Sequence, residues 1–248
     1  MSNYKIGIIG GSGMENPDFI SGFTSKNIST PYGEPSSQLV LGSIADIPVV
    51  ILSRHGPRHS INPTNINYRA NISALKNEGC THVLAITACG SLRKKITPGD
   101  FIFPDQFIDR TTKRINTFYD GSDVLHVPMG NPFSLGMRNS LARACDLLGF
   151  NYHNGGTVIT IEGPRFSTKA ESFMFRSWGC DIINMSSVPE IILARELDLE
   201  YQTIAMSTDY DCWYDGMEEV TMEMIYAVMK KNVKNVKKLI EKVVPLIN

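Results

Sequence analysis

The sequence predicts an α/β fold in which a largely parallel β-sheet is covered by helices on both faces. Two observations lead to it. Short apolar runs rich in β-branched residues recur along the chain, each bounded by Gly, Pro or polar residues. Between them lie segments whose apolar residues recur at helical spacing.

The runs at residues 5–9, 49–52, 82–86, 100–103, 157–161, 181–184 and 202–205 read as buried strands. Residues 16–37, which contain several Gly and Pro, read as an extended surface excursion. Tyr68, Ile72 and Leu75 at i, i+4, i+7 predict a helix. A second helical segment opens at Asn131-Pro132, with Leu141, Ala144 and Leu148 on one face. The last element, about residues 221–244, places Ile225, Val228, Val233, Val236, Ile240 and Val243 near a helical period. Its lysines (Lys230, Lys231, Lys234, Lys237, Lys238 and Lys242) read as a solvated face that suits the helix dipole, not as a nucleic-acid surface.

Length and composition narrow the function classes. The chain has 248 residues, 42% of them hydrophobic and 20% charged, and is read as a single domain spanning residues 1–248. With 24 basic against 25 acidic residues the formal charge is −1, so nothing points to a polyanionic partner. No window approaches the ~20 apolar residues of a membrane span, and no charged lead precedes an apolar run at the N-terminus. Cys80, Cys89, Cys145, Cys180 and Cys212 include no CxxC pair, so neither a disulfide framework nor a metal site is suggested. A cytoplasmic protein with reduced thiols is expected.

Chemistry gathers where strands end, because open α/β sheets bind ligands beyond the carboxyl ends of their strands. The first strand runs into Gly10-Gly11-Ser12-Gly13, where backbone N–H groups and the Ser12 hydroxyl can surround an anion. A dinucleotide fingerprint is not met, since Asn16 and Pro17 stand where a third glycine and a helix are required. No Gly-Lys-Ser/Thr occurs, which removes the Walker A loop.

Three further strand ends carry Ser53-Arg54-His55-Gly56, Thr87-Ala88-Cys89-Gly90-Ser91 and Met185-Ser186-Ser187. A guanidinium, an imidazole and several hydroxyl or amide donors are what holding phosphate requires. Plainer roles stand beside this one. Arg54 and His55 could form a surface turn, Thr87 could bond a neighbouring carbonyl, and Ser186 or Ser187 could cap a helix opening at Pro189.

Ser207-Thr208-Asp209-Tyr210-Asp211-Cys212-Trp213 follows the strand at 202–205. In extended backbone Asp209 and Asp211 project to one side and Tyr210 to the other. Crowded, partly buried carboxylates raise one pKa, giving a proton donor beside an acceptor, which is what an aminopurine edge demands. An acidic turn or a cation site is the competing role. In Glu162-Gly163-Pro164-Arg165-Phe166-Ser167, Phe166 could stack on a base or sit in the core.

Taken in order, Ile8–Gly13, Ser53–Gly56, Thr87–Leu92, Gln106–Thr111, Glu162–Ser167, Asn184–Glu190 and Thr208–Trp213 closely resemble the methylthioadenosine phosphorylases, over nearly the whole chain. The resemblance implies a phosphorylase/hydrolase-like α/β fold with a central mixed, partly closed β-sheet flanked by helices, and a homotrimer. It implies phosphate against Ser12, Arg54, His55, Thr87, Ala88 and Ser186, ribose against Met185, and adenine among Phe166, Ser167, Asp209 and Asp211. It also implies that His126 reaches the neighbouring subunit's 5′ pocket and that Met222 lines the site of the alkylthio group.

The implied reaction is attack of phosphate on C1′ of a 5′-modified nucleoside, with adenine leaving and Asp209 acting as general acid at N7. The partners are then a nucleoside and phosphate, the latter a co-substrate; no cofactor or metal is called for. Ser12 and Ser186 stand where many members carry Thr, the 121–125 segment is short, and Met222 replaces a smaller apolar residue, so the 5′ substituent is the open part. A 6-oxopurine nucleoside phosphorylase would place Asn where Asp209 stands. A hydrolytic nucleosidase would need no anion cradle, and a non-catalytic nucleoside-binding module differs only in turnover.

Overall fold

The computed structural model describes residues 4–10, 18–215 and 222–247. Its first strands are β1 (Ile6–Gly10), β2 (Ser21–Lys26), β3 (Leu39–Ile44), β4 (Ile47–Ser53) and β5 (His82–Ser91). They are followed by β6 (Phe101–Phe103), β7 (Gln106–Arg110), β8 (Tyr152–Asn154), β9 (Thr157–Ile161), β10 (Ile182–Asn184) and β11 (Glu200–Tyr210). The helices are α1 (Tyr68–Asn77), α2 (Leu135–Leu148), α3 (Lys169–Ser177), α4 (Ser187–Glu196) and α5 (Met222–Val243).

The apolar runs form strands buried on both faces. Ile6 and Ile8 join Leu84, Ile86, Ile204 and Met206 in one cluster, beneath Met137 and Leu141 of α2 and Val236, Leu239 and Ile240 of α5. Ile9 faces the other way, with Leu52, Val83 and Ala85, under Ile72 and Leu75 of α1 and Ile191 and Leu193 of α4. Burying one such side chain stabilises the fold by roughly 1.5–3 kcal/mol, so the two faces together fix the register of β1 against its neighbours.

Among the described residues six of the ten strand pairings are parallel and four antiparallel, so the sheet is mixed rather than largely parallel. It also closes on one side. β5 pairs with β10, β10 with β9, β8 with β6, and β6 with β11, which returns to β5. Between β8 and β9 the chain bends at Gly155 and Gly156, whose φ values of 126° and 120° lie outside the range side chains favour. The bend is tied by bonds from Gly156 N to Asp105 Oδ1 (3.0 Å) and from Thr157 N to Asp181 Oδ2 (2.9 Å).

Several boundaries differ from expectation: β5 runs on to Ser91 and β11 spans Glu200–Tyr210, so Thr87–Ser91 and Ser207–Tyr210 lie within strands expected to end at residues 86 and 205. The surface excursion at 16–37 contains β2, whose residues are all exposed and so carry no apolar signal. The helix expected to open at Asn131-Pro132 begins instead at Leu135, because the Ser134 side chain accepts from Met137 N as its N-cap. α5 matches the last predicted helix, with Lys234, Lys238 and Lys242 exposed on it. Among the described residues no helix is long and apolar enough to cross a membrane.

Candidate active site

β4, β1, β5 and β11 run parallel in that order, so their carboxyl ends share one edge. β1 and β4 stop together, with Gly10 paired to Ser53, while β5 and β11 continue to Ser91 and Tyr210. The extension of β5 therefore stands above the end of β1 like a wall. Arg54 crosses this step: its N donates to Gly10 O (3.0 Å) and its Nη1 to Ile86 O (2.7 Å).

Arg54 is not a surface turn, since only 1% of it is exposed. Its Nε and Nη2 engage both carboxylate oxygens of the buried Glu190, the Nη2 bond measuring 2.9 Å, and Tyr201 Oη donates to Glu190 Oε2 (2.9 Å). Burial alone would lower the guanidinium pKa, but the charge and hydrogen bonds of Glu190 outweigh it and raise it. Of five N–H donors three are engaged among the described residues, leaving one on each terminal nitrogen. The pair thus presents donors with its charge compensated.

His55 carries no positive charge to the site. Burial first, and then the neighbouring Arg54, push its pKa down to about 3. Its Nδ1 lies 2.9 Å from Ile61 O, a carbonyl that only accepts, so Nδ1 holds the proton. The ring stacks on His59, with centroids 4.0 Å apart and planes 18° from parallel.

β10 runs antiparallel beside the end of β5, pairing Ile183 with Gly90, and this carries Ser186 to Thr87. The two hydroxyls are 2.9 Å apart, and both residues are buried. Ser186 occupies the N-cap position of α4 but makes no capping bond, so its hydroxyl serves the cluster instead. Thr87 Oγ1 also lies 3.0 Å from Ala88 O. Behind them Asn184 accepts from Thr160 Oγ1 (2.7 Å) and donates to Ser187 Oγ (2.6 Å), which holds the turn after β10.

Asp209 and Asp211 follow a shift in register between Ser207 and Asp209, and both face Gly90 of β5. A Cβ on Gly90 would lie 3.2 Å from Asp209 Oδ2, 3.4 Å from Asp211 Cβ and 3.1 Å from Ile183 Cγ2. Burial raises the Asp209 pKa to about 6, a hydrogen bond from Thr208 lowers it in part, and Asp211 adds to the rise. Ser167 Oγ lies 2.7 Å from each Asp211 oxygen, which brings the 162–167 turn onto the carboxylate pair. Phe166 next to it is 40% exposed, so it is not a core residue. Tyr210 points away, its Oη donating to Lys94 O (3.2 Å).

Met185, between Asn184 and Ser186, packs against the same turn: its Sδ is 2.6 Å from where a Cβ on Gly163 would sit. His126 is exposed, in the 111–134 segment that has neither helix nor strand, and is not part of the hydrogen-bonded cluster. Ser12 lies outside the described residues, and of Met222 only the backbone at the start of α5 is described. The sequence reading missed Glu190 and Tyr201. A carboxylate opening the apolar run Ile191-Ile192-Leu193 was the available signal, since a buried charge requires a partner. It also missed the role of Glu162, which accepts from Thr64 Oγ1 (2.8 Å), Lys113 N (2.9 Å) and Arg114 Nε (3.1 Å) and binds the 112–114 segment to the turn. Among the described residues no group of three or more His, Cys, Asp or Glu is placed to hold a metal ion.

Residues 5–245 match the phosphorylase superfamily. S-methyl-5′-thioadenosine phosphorylase of Danio rerio is 52% identical, covering 99% of this chain and 90% of that protein. The enzyme of the same name from Aedes aegypti is 54% identical over 98% and 89%. Methylthioadenosine phosphorylase from Schistosoma mansoni in complex with adenine matches with a TM-score of 0.94 at 42% identity, covering 98% of this chain and 92% of that one. A mutant of adenosine/methylthioadenosine phosphorylase from the same organism, in complex with methylthioadenosine, matches at 0.93 and 42%, covering 98% and 91%. With a matched span that leaves out only a few residues at either end, the chain belongs to the phosphorylase superfamily, in the family of the S-methyl-5′-thioadenosine phosphorylases.

Proposed function

We propose that the protein cleaves S-methyl-5′-thioadenosine with inorganic phosphate, giving adenine and 5-methylthioribose 1-phosphate. The observation that carries this reading is Asp209, a buried carboxyl with a pKa raised to about 6, set with Asp211 against Gly90 of β5, the strand that also carries Thr87 and its hydroxyl neighbour Ser186. A phosphate oxygen attacks C1′ as the C1′–N9 bond breaks, and the bond's electron pair leaves with the purine. Asp209 protonates N7 as that charge grows, and Asp211, held by Ser167, accepts from the exocyclic N6 amino group. Glu190 orients Arg54, and Arg54, His55, Thr87, Ala88, Ser186 and Ser12 hold the phosphate. Met185 lies under the ribose, Phe166 stacks on the base, and His126 and Met222 line the 5′ group.

Phosphate is the co-substrate and no cofactor takes part. The protein acts as one domain in a cytoplasmic homotrimer, in which the exposed His126 enters a neighbour's pocket. The names of the relatives support the methylthio substrate, and the Schistosoma complexes support a purine in the corresponding pocket. A 6-oxopurine substrate is disfavoured by the second carboxyl group, because Asp211, which accepts from the N6 amino group in this reading, would face the acceptor O6 instead.

Mixing the protein with methylthioadenosine and following adenine with and without phosphate tests the reading. Release that requires phosphate is expected. Release without phosphate indicates a hydrolase, release only from inosine indicates the 6-oxopurine class, and binding without release indicates a non-catalytic module.

A further inference from the structure

α3 reaches the 211–214 turn from both of its ends. At its start Ser167 stands one residue before the N-cap Thr168, whose capping box with Glu171 fixes the entry to the helix. Ser167 Oγ lies 2.7 Å from each Asp211 oxygen, and Cys212 Sγ donates to Ser167 O (3.4 Å). In its last turn Arg176 lays its guanidinium over the Trp213 ring, 3.5 Å from the centroid, while its Nη1 donates to Leu92 O (2.5 Å). A flat guanidinium can stack and donate at once.

Trp213 is held from the other side by β5. Its Nε1 donates to Ser91 O (2.8 Å), the same carbonyl that accepts from Asp211 N (3.0 Å). The indole also packs on the small apolar cluster that includes Phe175 and Ile183. The two carboxyl groups differ in what they need from these contacts. Asp209 lies within β11 and is paired with Gly90, so the strand ladder places it. Asp211 is the first residue beyond β11 and opens a turn, with Tyr214 N donating to Asp211 O (3.2 Å). Its direction is set by what grips that turn.

We propose that Arg176 and Trp213 are positioning residues for the recognition of an exocyclic amino group: clasped by α3, the 211–214 turn holds the Asp211 carboxylate where it accepts from N6 of an aminopurine. This rests on the base site of the phosphorolytic reading. Hydrogen bonds weaken steeply with misalignment, so a turn released from Arg176 loses the contact to N6 first. The bond to N7 stays, because Asp209 is carried by the ladder and not by the turn. Loss of the clasp therefore removes the preference for a 6-amino group without removing the site for the ring.

The test measures binding of adenine and of purine, which has hydrogen in place of the amino group, by calorimetry. Phosphate-dependent base release from the two corresponding nucleosides is followed alongside. The wild type is expected to hold adenine at least about tenfold tighter than purine. Two variants then separate positioning from folding: Trp213→Phe, which keeps a ring under Arg176 but loses the N–H, and Arg176→Met. In both, the preference for adenine should fall to within about threefold, with the affinity for purine changed by less than about threefold. A wild type without that preference would overturn the assignment, as would variants that weaken both bases equally or keep the preference intact. Failure of both variants to fold would also overturn it, since the contact would then belong to the fold alone. Adenine-selective binding that fades in the variants, without any phosphate-dependent release, would sink the phosphorolytic reading and leave the clasp standing.

Discussion

Asp209 and Gly90 face each other across the β5–β11 pair so closely that Asp209 Oδ2 lies 3.2 Å from where a Cβ on Gly90 would stand. The glycine leaves room for the carboxyl to sit against the strand. In Gly90→Ala the added methyl meets the carboxylate on one side and Ile183 Cγ2, at 3.1 Å, on the other. Overpacking of this kind costs about 1–3 kcal/mol, and the softer side is the carboxyl, which rotates away. Adenine release should fall about 100-fold, as small misplacements of a catalytic group do, with the fold retained by circular dichroism. Unchanged turnover would mean that Asp209 does not need this position.

Asp209 also gives the site its pH dependence. A folded-state pKa raised from 3.8 to about 6 means that the native protein keeps the proton while the unfolded chain loses it. The associated stability is fully present below about pH 4 and is lost as pH rises through about 6. The shift of about two units is worth about 3 kcal/mol, which Asp209→Asn should no longer show in urea melts across that window. In activity, kcat/KM for the nucleoside should decline above about pH 6, and Asp209→Asn should abolish that limb while slowing adenine release at least about 100-fold. Phosphate binding should change far less.

The helices, the central strands and the polar strand ends were legible because burial on both faces writes itself as continuous apolar runs. β2 was not, since every residue in it is exposed, and α3 buries only Ser172 and Phe175. The closure of the sheet depends on pairings between segments about fifty residues apart, Phe101 with Tyr152 and Gln106 with Thr157, which no local pattern encodes. At the site, residue types were legible and their states were not. The sequence offered a guanidinium at Arg54 and an imidazole at His55; Glu190 compensates the charge of the first and burial keeps the second neutral.

Arg54 and Glu190 allow stability to be separated from function. Removing one partner of a buried pair leaves an uncompensated charge and costs about 3–5 kcal/mol, so Glu190→Leu should be strongly destabilised. Replacing both, as Arg54→Met with Glu190→Leu, should recover most of that loss, because apolar side chains of similar volume suit the site. The double variant should nevertheless lose phosphate-dependent adenine release. A double variant as unstable as the single one, in thermal melts without ligand, would show that the pair is needed by the fold itself.

His55 predicts acid sensitivity of the opposite sign to Asp209. Its folded-state pKa is lowered from 6.5 to about 3, so below about pH 6.5 the unfolded chain takes up a proton that the native imidazole refuses. The stability it contributes is present above pH 6.5 and is lost as pH falls toward 3, at a slope of up to about 1.4 kcal/mol per pH unit. Partial exposure of the ring to water reduces that slope without reversing it. His55→Gln cannot take up the proton, so between about pH 6 and pH 4 its denaturation midpoint should fall less steeply than that of the wild type. Asp209→Asn, measured alongside, should change the curve in the other direction over the same range. Parallel curves for His55→Gln and the wild type would mean that the imidazole is protonated in the native state, and with it the fixed Nδ1 tautomer would be lost as an explanation of the site.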